Sequence, residues 1–246
     1  MSAPAITRQL ALFRAGRKLA RCNSGLALTE FAYSLPILLG LSLYGFETAN
    51  LAIAHLRVSN IAMSAADNAA RVREKIDEAN VIDLLAGAKG TGTSIGFGDR
   101  GRIILSSFER DDASGRQWIR WQRCDGLLDV NSNYGRPKNK TNGDIIDGTE
   151  IYVADRTTLS NENQRSDPTH STLTAVGPAG RQISAAPGTS ILVAEVVYNY
   201  RPIVSESLFG PIQIRYESAF NVRQRTDQRL YNGGRVTPRS CNTRQA

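Results

Sequence analysis

The 246-residue chain carries 30 Lys and Arg against 23 Asp and Glu, a net charge of +7. Five of those bases, Arg8, Arg14, Arg17, Lys18 and Arg21, precede the first acid, Glu30, so most of the excess is a flank signal and a nucleic-acid binder loses its main support. The only histidines are His55, beside an apolar run, and His170, in a polar stretch, which gives neither a His-based triad nor a zinc cluster a favourable geometry.

Residues 1–21 alternate basic and apolar positions, as in Leu10-Ala11-Leu12-Phe13-Arg14, and read either as a short amphipathic helix or as an unstructured leader. The stretch that follows, SGLALTEFAYSLPILLGLSLYGFETANLAIA (residues 24–54), is of a different kind. From Phe31 to Ala54 only Glu47 and Asn50 are strongly polar. A helix rises about 1.5 Å per residue and a bilayer core is about 30 Å thick, so this length suffices to span it. Pro36 falls near the start of the dense apolar centre, where a missing backbone donor costs least. With five bases and no acid ahead of Glu30, the positive-inside rule keeps that end cytoplasmic and carries the C-terminal part across. Ala52-Ile53-Ala54 faintly resembles a signal-peptidase site, so a soluble exported protein cut near residue 55 is an alternative.

Beyond the apolar run, Val58, Ile61, Ala62, Ala65, Ala69, Val72, Ile76 and Ala79 recur at spacings of three and four, one buried helical stripe. The spacing predicts a single helix from Leu26 to Leu85, ended by Gly87, Gly90 and Gly92. The remainder reads as strands over 102–108, 117–124, 150–154, 190–200 and 212–222, with residues 125–186 mostly loop. The fold class is α+β: a long N-terminal helix, membrane-spanning in its first half, carrying a small β-rich globular head. The corresponding divisions are 1–25, a basic leader; 26–88, transmembrane and stalk helix; and 89–246, head.

Patterns that could carry chemistry are weak. Asp129-Val130-Asn131-Ser132-Asn133 begins like a calcium loop, but glycine falls a position late and Lys140 stands where the final glutamate belongs. Gly90 to Gly98 lacks nucleotide-loop spacing and its lysine. Asp144 and Asp147, flanked by Gly143 and Gly148, read as turns. Trp118, Trp121 and Tyr134, interleaved with Arg116, Arg120 and Arg123, read as a half-buried strand before a ligand platform. Neither an enzyme, a cofactor nor a metal site is expected.

Ser24-Gly25-Leu26-Ala27-Leu28-Thr29-Glu30-Phe31, followed by a Leu-rich helix with an early proline, resembles the prepilin-type signal of type IV-like pilins. More narrowly, with the small-residue run 59–71, it resembles the TadE-like minor pilins, or pseudopilins, of tight-adherence (Tad) pilus systems. Trp121 to Gly126 and Glu195 to Pro202 are similar to that family more loosely. The resemblance implies cleavage between Gly25 and Leu26 by a prepilin peptidase on the cytoplasmic face. Glu30 becomes the fifth mature residue, followed by the aromatic Phe31, and pairs with the freed Leu26 amine of a neighbouring subunit. It further implies an inner-membrane, single-pass protein with its head in the periplasm or outside the cell, whose partners are other pilin subunits or assembly proteins. A fixed, unprocessed membrane scaffold is the alternative. Loss of Cys22 with the leader leaves Cys124 and Cys241, which in an oxidising compartment can bridge and stabilise by roughly 4–5 kcal/mol in the chain-entropy account. Two free thiols are the other possibility.

Overall fold

A computed structural model describes residues 24–138, 173–177, 180–233 and 236–244. The segment 1–21, the strand expected at 150–154, and Asp144, Asp147 and His170 lie outside these residues. In chain order the elements are α1 (Ser24–Arg71), β1 (Ile76–Asp77), α2 (Glu78–Gly90), a 3-10 turn (Thr93–Ile95), α3 (Phe97–Arg100), β2 (Gly101–Arg110), β3 (Gln117–Asp125), β4 (Ser190–Tyr200), α4 (Glu206–Phe209), β5 (Ile212–Asn221) and β6 (Leu230–Tyr231). The architecture is α+β, a long N-terminal helix with a β-sheet domain. Packing divides the chain into two units, one ending at Asn50 and one from Leu51 to Ala246, so residues 51–88, expected as stalk, pack with the sheet.

The single helix predicted to Leu85 is interrupted. After Arg71 the chain turns through Glu74, at φ 54°, and Ile76 and Asp77 pair in parallel with Leu230 and Tyr231. Asp77 then caps α2: its carboxylate accepts the Ala79 amide (3.0 Å), while Asn80 Oδ1 accepts the Asp77 amide (3.1 Å). A cap of this kind satisfies the amides that a new helix end leaves without partners. The other oxygen of Asp77 accepts the Gly233 amide at 2.8 Å, tying the break to the C-terminal strand. Gly87 lies inside α2, which ends at Gly90.

Four antiparallel strands in the order β3-β2-β4-β5 form the sheet. Strand periodicity sends alternate residues to opposite faces. On one face Ile103, Leu105, Trp121, Leu192, Ala194, Val196 and Tyr198 join the apolar core that includes Ala54, Val58, Ile61, Ala62, Ala65 and Ala69 of α1. The alanines keep this side of the helix slim, and close packing continues at Gly92, where a Cβ would lie 2.7 Å from both Ile61 and Phe97 side-chain carbons. The other face holds a smaller apolar cluster of Phe108, Ile119, Val176, Ala185, Ile191 and Val193. An ion pair is sealed inside: Arg123 Nε on β3 donates to both oxygens of Glu78 at 2.8 and 3.0 Å, with both side chains fully buried. Glu78 sits in the first turn of α2, where the helix dipole favours a carboxylate.

Candidate functional site

The portion of α1 up to Phe46 is unlike any other element. Leu26, Leu28, Phe31, Tyr33, Leu35, Ile37, Leu38, Leu39, Leu41, Leu43, Tyr44 and Phe46 are all exposed, and these positions go right round the helix. A soluble amphipathic helix hides one stripe; one that is apolar all round needs a non-aqueous surrounding. The helix is long and apolar enough to cross a membrane, and none of its most apolar window is buried. Three of its hydroxyls are satisfied internally. Thr29 donates to the Leu26 carbonyl (2.8 Å), Ser34 to Phe31 (3.1 Å) and Thr48 to Tyr44 (2.8 Å), so they add little desolvation cost in hydrocarbon.

Gly25, Leu26, Glu30 and Phe31 all fall in the first two turns of α1, exposed to their surroundings. Glu30 is one turn beyond Leu26, so carboxylate and residue 26 lie on the same side of the helix. A Cβ on Gly25 would meet nothing within 4 Å, so packing within the chain does not demand glycine there.

Cys124 and Cys241 are bonded, closing 117 residues with their Cα atoms 4.8 Å apart. The C-terminal tail lies against β3 and β2 at this point: the Cys124 amide donates to the Arg239 carbonyl (2.9 Å), and Arg102 Nη2 to the Cys241 carbonyl (2.7 Å). The remaining described sequence candidates make contacts within the chain. Trp121 is buried, with its indole N–H donating to the Gln228 carbonyl at 3.2 Å, and Trp118 is covered by the Arg120 guanidinium 4.7 Å above its ring. Asp129 pairs with Arg244, and Ser132 and the Asn133 amide both donate to Glu195. His55 Nδ1 lies 3.3 Å from the Tyr216 hydroxyl.

One polar cluster escaped the sequence reading. Glu195 and Glu217 are cross-strand partners on β4 and β5. Arg215 Nη1 reaches Glu195 at 3.1 Å, while Glu217 accepts the Tyr134 hydroxyl, which itself accepts the Gly177 amide at 2.6 Å. One guanidinium thus serves two carboxylates. Burial, with the neighbouring Glu195 charge, pushes the Glu217 carboxyl above the ordinary carboxylate range against the opposing pull of the Tyr134 hydrogen bond and Arg215. Burial and the Glu217 carboxylate push the Tyr134 hydroxyl well up in turn. The available signal was Glu195 itself, the only charge in the run 190–200. Compared with protein-family models, curated proteins and solved structures, the chain gives no match.

Proposed function

We propose that this chain is a TadE-like minor pilin of a Tad-type pilus. It is inserted in the inner membrane by α1 with its N-terminus cytoplasmic, cut between Gly25 and Leu26 by a prepilin peptidase, and assembled with other pilin subunits. The sheet-bearing unit then lies in the periplasm or on the pilus, where it is available for surface adhesion. The observation that carries the reading is the bare apolar helix, whose single acid before Glu47 is Glu30, four positions after Leu26. A carboxylate taken into hydrocarbon is costly unless paired. A freed Leu26 amine on a neighbouring subunit is a cation of the right kind, and the geometry of one helical turn puts each subunit's own pair on one side. The chain's resemblance to the prepilin signal supplies the rest.

A secreted domain cut near His55 fits less well. Ala54, Val58 and Ile61 are buried in the core of the sheet-bearing unit, so such a cut falls inside a helix that the core needs. An unprocessed scaffold anchored by the same helix is the remaining alternative.

The test is N-terminal sequencing of the mature protein from native envelopes. A start at Leu26 is expected; a start at Met1 or Ser2 hands the reading to the scaffold, and a start near His55 to a secreted domain. Glu30→Gln and Glu30→Leu should leave processing intact and abolish incorporation into pili. Normal incorporation of both variants would remove the carboxylate-pairing mechanism.

A further inference from the structure

The two edges of the sheet differ. β3 is fastened near both ends by its own chain: the Gln117 amide donates to the Leu173 carbonyl at 2.7 Å and the Cys124 amide to the Arg239 carbonyl at 2.9 Å. β5 is open. The Val222 amide donates to the Ser190 carbonyl, and β4 and β5 then pair without a shift from Asn221 back to Ile212. In an antiparallel ladder, residues alternate between bonding inward and outward. The even-numbered residues of β5 therefore bond to β4, and Gln213, Arg215, Glu217, Ala219 and Asn221 turn their N–H and C=O groups away from the sheet. Among the described residues nothing bonds to that outward row.

Natural edges are usually protected by proline, charged side chains (lysine above all), bulges, shortness or a covering segment. β5 has ten residues, no proline, no lysine and no register shift. Its side chains are instead self-complementary. Laid antiparallel against a second β5 with Tyr216 at the centre, Arg215 of each strand falls opposite Glu217 of the other, and Ile212 opposite Phe220. Shifting the centre by one residue either way puts Arg215 against Arg215 or Glu217 against Glu217, which like charges disfavour. The Tyr216-centred register also places outward-bonding residues opposite one another, as an antiparallel ladder requires. It brings a second guanidinium to Glu217, whose direct partner within its own chain is the Tyr134 hydroxyl while Arg215 makes its direct contact with Glu195.

We infer that the chain associates with a second copy of itself through β5, antiparallel about Tyr216, making one continuous eight-stranded sheet across a two-fold axis. This is independent of the pilin reading. The experiment uses the full chain carrying Cys22→Ser, reconstituted at low density in nanodiscs. At the centre of the register the Tyr216 Cα atoms lie in a non-hydrogen-bonded pair, about 4.5 Å apart, within the range a disulfide bridges. Residues 218 are each about 14 Å from their counterpart, since four residues along a strand rise about 3.4 Å apiece. Tyr216→Cys should give a reducible dimer under mild oxidation, and Ser218→Cys should not. Ala219→Pro, which removes an outward donor and no bond to β4, should abolish the Tyr216→Cys cross-link without changing the near-ultraviolet circular dichroism. Wild-type particles should contain two copies by mass photometry. Equal cross-linking at 216 and 218 would overturn the inference, as would a cross-link that survives Ala219→Pro, a monomeric wild type, or a dimeric mass without a Tyr216→Cys cross-link, which would assign association to the apolar helix instead. A mature N-terminus other than Leu26 changes none of these outcomes.

Discussion

Glu217 and Asp227 show how differently two carboxylates behave on one small domain. Asp227, although partly desolvated, is held low by Arg229 (Nε 2.8 Å, Nη2 2.6 Å) and the Tyr231 hydroxyl, so its charge favours the folded state at neutral pH and that contribution fades in acid. Glu217 is the opposite case. Its carboxyl is raised by burial, so in the pH window just above the ordinary carboxylate range the folded chain holds a proton that the unfolded chain has lost. Stability falls with pH wherever the folded state binds more protons, and here it falls as pH rises from the ordinary value through the raised one. Glu217→Gln removes this loss while keeping an acceptor for Tyr134. The variant should melt no lower than the parent at pH 7, and the difference in melting temperature, variant minus parent, should grow from pH 4 to pH 7. A difference that shrinks over that range, followed by thermal circular dichroism in detergent, would mean that Glu217 is charged and well paired in the folded chain.

At the scale of elements, the joint between α2 and the sheet is the Arg123–Glu78 pair. Arg123 also donates through Nη1 to the Gln122 carbonyl at 2.8 Å, so the guanidinium is well satisfied. Arg123→Met strands a buried carboxylate, and removing one partner of a buried pair typically costs roughly 3–5 kcal/mol. The double variant Glu78→Leu with Arg123→Met should lose far less, and urea titrations of the three proteins check both statements. Neither partner could be found from the sequence. Glu78 lies in the stretch whose three-and-four spacing, through Val72, Ile76 and Ala79, reads as one continuous helix. What breaks that helix is a two-residue parallel pairing with Leu230 and Tyr231, more than 150 residues away, and a cap built on Asn80 in place of the usual Glu or Gln. By contrast β4 was legible to the residue, since Ser190–Tyr200 is a β-branched run bounded by turns, and β2, β3 and β5 differ from their predicted spans by one or two residues at their ends. The exposed apolar helix was legible for the same reason: composition decides it without long-range pairing. The Glu195–Glu217 face was not, because it depends on strand register, which short apolar runs do not determine.

For the whole molecule, the chain's three cysteines report on fold, processing and compartment together. The Cys124–Cys241 bond fastens the tail 236–244 to the sheet, helped by Arg102, whose Nη1 reaches the Leu128 carbonyl at 3.2 Å while Nη2 holds the Cys241 carbonyl. A cross-link closing so long a loop limits the unfolded chain, and losing a native disulfide of a small exported domain typically costs about 2–5 kcal/mol. Cys241→Ser should lower stability in that range and expose the tail to protease before β4 and β5 are lost. The same cysteines can be counted by maleimide labelling and intact mass, with protein taken from native envelopes and denatured in the absence of reductant. A chain that has lost its leader has also lost Cys22, so the proposed function predicts no label before reduction and two after it. A retained leader gives one label before reduction and three after. Label on both Cys124 and Cys241 without reduction would mean that the bond does not form where the protein resides, and the oxidising compartment assigned to the sheet-bearing unit would have to be given up.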